Sequence, residues 1–154
     1  MKNHSSVLII FTGGTIGMIK KEGQYVPVKF KDLIIGIALM DANDAATAIA
    51  EGISGTEGAF ANRMNLMAKS LGMINTTFKN ASGFIEKGHL SSAFDMAILG
   101  RRLILDFPDH TKILSERESS TDLGRRIRNQ NIRILDSYKE IEAVKSGYSR
   151  HSGY

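Results

Sequence analysis

The chain of 154 residues contains no cysteine, which removes disulfides, thiol nucleophiles and thiolate metal ligation. That absence leaves the compartment open, because proteins of oxidising and reducing compartments alike can lack the residue. Only two prolines are present, and no Pro-, Gly- or Ser-rich stretch reads as a linker. The longest unbroken apolar run is Val7-Leu8-Ile9-Ile10-Phe11. It is far shorter than the roughly 18 residues of a bilayer-crossing helix and shorter than the apolar region of about 7 to 15 residues in a cleavable export signal. No membrane span and no export signal are expected, so the chain as written reads as cytoplasmic. His4, His89, His110 and His151 are scattered without metal-ligand spacing, and no metal site is expected. No period of 20 to 50 residues recurs, so residues 1–154 are expected to form one domain.

What is present is ordinary globular material: 42% hydrophobic and 23% charged residues, enough for a packed core. The net charge is +4, with the basic excess after residue 100. Arg101, Arg102, Arg125, Arg126, Arg128 and Arg133 are the densest cations, but Asp106, Asp109, Glu116, Glu118 and Asp122 intervene. Without aromatic interleaving or a recognised motif, nucleic acid is not an expected partner.

Residues 7–11 fit a strand buried on both faces, ended by the Gly-rich turn Thr12-Gly13-Gly14-Thr15. That turn has neither Walker nor Gly-x-Gly-x-x-Gly spacing, so it is no phosphate loop. A second extended piece is predicted over residues 25–30. From Lys31 the period becomes helical, with Leu33, Ile37 and Met40 on one face and a stop near Asp41-Ala42-Asn43-Asp44. Asp41, Asn43 and Asp44 suit capping of a second, alanine-rich helix that Gly52 closes. Ser54 and Glu57 have capping-box spacing for a third helix, with the stripe Phe60, Met64, Met67 and Leu71 and with Gly72 at its end. Ser92 and Asp95 open a fourth, lined by Met96, Leu99, Leu103 and Phe107 and stopped by Pro108. Residues 132–135 and 141–148 read as possible strands. The fold class is therefore α+β, with a helical middle and a few strands in the N- and C-terminal parts, and exposed sheet edges would permit oligomerisation.

Several segments together carry a resemblance: Lys31-Asp32-Leu33 leading to Asp41-Ala42-Asn43-Asp44-Ala45, Asn75-Thr76-Thr77-Phe78 with Ala81-Ser82-Gly83, Ala93-Phe94-Asp95-Met96-Ala97, and Val144-Lys145-Ser146-Gly147-Tyr148. From residue 26 onward the chain resembles the penicillin-binding D-alanyl-D-alanine carboxypeptidases, serine enzymes that trim peptidoglycan stem peptides. The resemblance implies the penicillin-binding fold, a peptidoglycan peptide as substrate, no cofactor and an extracytoplasmic location. It also implies three motifs in one cleft: Ser-x-x-Lys, Ser-x-Asn and Lys-Thr-Gly. Asn43 matches the Asn of the second, whose amide would hold the substrate backbone, while Asp41 stands where the Ser belongs. Lys145-Ser146-Gly147 matches the third with Ser for Thr, implying a cation and a hydroxyl for the terminal carboxylate and a Gly that lets the substrate approach. No Ser of the chain has Lys three positions later, so weak or absent activity is expected. Asp41 would repel a substrate carboxylate by roughly 1 to 4 kcal/mol at about 4 Å, or else pair with Lys145 and shield it.

The opening residues point to another hydrolase. The run from Val7 through Thr12-Gly13-Gly14-Thr15-Ile16-Gly17-Met18, with Gly23-Gln24-Tyr25-Val26-Pro27-Val28, is similar to the first strand, nucleophile loop and lid of type I asparaginases. That resemblance, over about residues 5–28, implies a nucleophilic Thr15 activated by Tyr25 and a small amide substrate. Two partial signatures in one chain read as a splice of two hydrolases, recombined or designed. A non-catalytic fold or ligand-binding module is the alternative from a different class.

Overall fold

The computed structural model describes residues 18–21, 24–122, 124–138, 140–141 and 145–147. The strand expected at residues 7–11 and the Thr12 to Thr15 turn lie outside them. The described chain begins with an antiparallel pair, β1 (Met18–Lys21) and β2 (Gln24–Pro27), in which Ile19 faces Val26 and Lys20 faces Tyr25. The second extended piece is thus shorter than predicted, because Phe30 already opens α1 (Phe30–Met40).

Helix α1 organises the core. Its N-terminal turn is pinned by Asp32, which is buried and accepts the Asp122 backbone N–H at both carboxylate oxygens, while Lys29 forms an ion pair with the Asp122 side chain. Leu33 packs with Ala45 and Ala48 of the following helix, whereas Ile35, Ala38 and Leu39 pack against Ile113, Leu114 and Ile127. Two neighbours on different sides widen the buried arc beyond the expected Leu33–Ile37–Met40 stripe, and Met40 is 55% exposed. Gly36 lies where α1 passes α2 (Asn43–Ser54); a Cβ there would be in ordinary contact, 3.4 Å from that of Ala42 and 3.9 Å from that of Ala45.

The helix junctions depart from the predicted caps. Asp41 is the left-handed C-cap of α1, with φ +53°, a conformation that Asp tolerates better than most residues. Ala42 precedes α2 and provides no side-chain cap; Asn43 is already its first residue. The helix runs through Gly52 and ends at Gly55, whose φ of +80° needs glycine. Helix α3 (Glu57–Ser70) is capped by Thr56, whose hydroxyl accepts the Ala59 N–H at 3.1 Å, and not by Ser54. Ser54 instead accepts from Arg63, and Glu57 accepts from the Ala81 N–H and the Thr47 hydroxyl. Thr56→Ala is expected to cost about 1 kcal/mol in a urea titration, with Ser54→Ala causing a smaller loss.

Gly72, with φ +81°, follows α3 as predicted. The segment after it is tied down by polar contacts: the Asn65 side chain makes two bonds to the Phe78 backbone, and Thr77 and Leu90 bridge. Helix α4 (Ala93–Asp106) starts as expected, with Ser92 accepting the Asp95 N–H at 3.1 Å. Buried Asp95 accepts from the Asn75 N–H and the Thr76 hydroxyl. The predicted stripe of this helix is largely uncovered, with Met96, Leu103 and Phe107 exposed. Helix α4 ends at Asp106, just before Pro108 as expected, and Pro108 itself opens a separate short helix, α5 (Pro108–Thr111), since its missing N–H costs nothing in a first turn. A short 3₁₀ turn (Lys112–Ser115) leads to a second antiparallel pair, β3 (Glu118–Ser120) and β4 (Arg126–Arg128).

The last element corrects another expectation. Residues 132–135 are not a strand but belong to α6 (Ile132–Ser137). Asn129 starts it, accepting the Asn131 N–H at its side chain and the Ile132 N–H at its carbonyl, and Ile132 and Leu135 fall on one helical face with Leu135 buried. Of the strand suggested at 141–148, Ile141, Lys145, Ser146 and Gly147 are described, and they form no strand. The architecture is mixed, with a helical middle and small sheets on either side of it in the chain.

Candidate active site

The α1 terminus, the corner after β4 and the Lys145–Ser146 segment meet at one place. Like the other last carbonyls of a helix, that of Leu39 has no helical partner; it accepts the Gln130 backbone N–H at 3.0 Å. Asn129, 1% exposed, braces this corner by donating its side-chain amide to the carbonyls of Leu114 (3.1 Å) and Glu116 (2.8 Å). Gln130 is thereby held beside Asp41 and donates Nε2 to Asp41 Oδ2. Lys145 Nζ pairs with the other Asp41 oxygen, Oδ1, and Ser146 Oγ donates to Asn131 Oδ1.

The result is a closed electrostatic unit. Burial pushes the Lys145 ammonium down from the ordinary lysine range, and the Asp41 carboxylate is the adjacent anion that favours its charged form. The pair remains reachable, with 40% of the Lys145 side chain and 31% of Asp41 exposed. Among the described residues, nothing lies within 4 Å of where a Cβ on Gly147 would stand.

Of the residues singled out from the sequence, Asp41, Lys145 and Ser146 are brought into one network, and Gly147 adjoins it. Asn43 lies one turn of chain away, exposed at the start of α2, and no hydrogen bond joins it to residues 145–147 among the described residues. It lines instead an open, polar cavity of about 370 Å³ with Asp44, Thr47, Glu57, Asn80 and Glu86. Thr15 lies outside the described residues, and Tyr25 is placed only as a backbone position of β2. The sequence reading missed Asn129, Gln130 and Asn131, whose amides make the corner. A run of three amide side chains was the available signal, but it has no motif spacing and no charge.

Residues 11–154 match the D-alanyl-D-alanine carboxypeptidase family. The chain belongs to that family. It is 41% identical over 128 residues to D-alanyl-D-alanine carboxypeptidase DacF of Bacillus subtilis, covering 80% of this chain and 32% of the relative. It is 37% identical over 145 residues to DacA of Escherichia coli, covering 94% and 35%. Penicillin-binding protein 5 of Haemophilus influenzae superposes with a TM-score of 0.75 at 33% identity, over 92% of this chain and 40% of that one. Penicillin-binding protein D2 of Listeria monocytogenes, solved in an ampicillin-bound form, gives 0.76 at 32% identity, over 82% and 52%. The fold is thus that of the penicillin-binding peptidases, and the chain spans about a third of the length of the curated relatives it matches. The family match takes in the positions of Thr15 and Tyr25.

Proposed function

We propose that Asp41, Lys145, Ser146 and Gly147 form the terminal-carboxylate end of a D-alanyl-D-alanine carboxypeptidase cleft, and that these 154 residues bind a ligand without cleaving it. The observation that supports this reading is the ion pair between Asp41 and Lys145, which joins the positions matching two family motifs from distant parts of the chain. Lys145 supplies the cation for a carboxylate, Ser146 a hydroxyl that donates to it on turning from Asn131 Oδ1, and Gly147 room for the ligand to approach the backbone. Asn43, displaced toward the neighbouring polar cavity, is the amide for the rest of a peptide backbone. The implied reaction, release of a terminal D-alanine through an acyl-serine, needs an activated serine, and none of the 154 residues forms a Ser-x-x-Lys.

Asp41 controls the affinity of this anchor. A ligand carboxylate must take Lys145 away from Asp41 and then sit near the freed anion, a repulsion of roughly 1 to 4 kcal/mol. Asp41→Ser is therefore expected to raise the affinity for N-acetyl-D-alanine about tenfold or more in a calorimetric titration. Lys145→Met in the same background is expected to remove the gain. An Asp41→Ser variant that folds and shows no gain would contradict the assignment of this corner as the carboxylate end.

A further inference from the structure

Charge balance restricts what can open the Asp41–Lys145 pair. Asp41 Oδ1 is closed off from solvent and faces the Lys145 ammonium, while Asp41 Oδ2 is served by the neutral Gln130 amide. A ligand that carries only a carboxylate takes Lys145 and leaves a shielded carboxylate oxygen without a cation, which is costly. A ligand that carries only an ammonium leaves Lys145 uncompensated in the same way. A molecule with both groups on neighbouring atoms replaces one ion pair by two and strands neither residue. The pair itself is partly exposed, so separating it is not prohibitive.

Resting on the carboxylate-end assignment above, we propose that this site takes a free, zwitterionic α-amino acid in preference to an acylated C-terminus. The ligand carboxylate sits on Lys145 Nζ and accepts the Ser146 O–H, which turns away from Asn131 Oδ1, and its ammonium sits on Asp41 Oδ1 in place of Lys145. Gln130 keeps its bond to Asp41 Oδ2 and fixes the carboxylate that receives the ammonium, so it is a positioning residue. The acyl group of a peptide abolishes the ligand's positive charge, and Asp41 then has nothing to bind. A neutral hydroxyl at position 41 would not make this distinction; a carboxylate does. Among the described residues, nothing crowds Gly147, which leaves space beside the anchor for a small side chain.

The test is a calorimetric titration of the full chain at neutral pH with D-alanine, N-acetyl-D-alanine and D-alaninamide. D-Alanine is expected to bind at least about tenfold more tightly than either blocked form. Asp41→Asn, which retains an oxygen for Gln130, is expected to lose that preference, and Asp41→Ser to reverse it toward N-acetyl-D-alanine; circular dichroism establishes that each variant is folded. Equal or weaker binding of D-alanine by the unaltered chain, or no binding of any of the three, overturns the proposal. If in that case Asp41→Ser still gains affinity for N-acetyl-D-alanine, the carboxylate-end assignment stands and only the preference for a zwitterion falls. If in that case Asp41→Ser gains nothing either, both fall; a preference of the unaltered chain for D-alanine that survives in Asp41→Asn also overturns the proposal.

Discussion

Incubated with a fluorescent penicillin, the chain is expected to form no covalent adduct. A peptide ending in D-Ala-D-Ala is expected to be turned over on the order of a million-fold more slowly than by a relative that carries Ser-x-x-Lys. The magnitude follows from what the missing group does. The serine supplies the bond-forming oxygen and its lysine the basicity; hydrogen-bond donors and binding contacts alone retain only a small residue of the rate. Lys145 is engaged with Asp41 and Asn43 is an amide, so neither substitutes for an activated hydroxyl. Covalent labelling located by mass spectrometry would overturn this expectation and name the nucleophile. L-asparagine belongs in the same experiment, because turnover abolished by Thr15→Ala would favour the amidohydrolase reading of the opening segment.

Leu39→Ala is expected to destabilise the fold by about 2 to 5 kcal/mol, read as a shifted urea midpoint. Leu39 is 0% exposed and packs with Ile35 and Ala38 against Ile113, Leu114 and Ile127, so truncation leaves a cavity between α1 and the β4 side of the core. The same residue's carbonyl carries the Gln130 N–H, which makes the stability of this corner and the geometry of the Asp41 site one property. Met40→Ala, next in the chain but 55% exposed, is expected to stay within about 0.5 kcal/mol. Comparable losses at positions 39 and 40 would mean that the packing around α1 is other than described.

The sequence carried the helices well because their apolar residues repeat at helical spacing and because Ser92 and Gly72 stand where a cap and a terminator belong. It carried the junctions badly. Thr56 caps α3 instead of Ser54, and Asp41 closes α1 in the left-handed conformation instead of starting α2. Several Ser, Thr, Asp and Asn residues compete within a few positions, and which one caps depends on how the two helices cross. The short helix at Ile132–Ser137 was read as a strand because four residues, three of them apolar, do not distinguish the two periods; the Asn129 amide and carbonyl decided it.

The sequence by itself determined the family, the mixed helical fold and the absence of Ser-x-x-Lys among these residues, since each is a matter of which residue types stand in which order. Only the tertiary structure decided that Lys145 is paired with Asp41, that Gln130 and Asn131 hold the two segments, and that Asn43 lines a separate polar cavity. The physical reason is range. Caps, turns and helical stripes are set by neighbours a few positions apart, whereas an ion pair is set by Coulomb attraction between groups that only folding brings within reach, and nothing in the spacing of Asp41 and Lys145 along the chain records that distance.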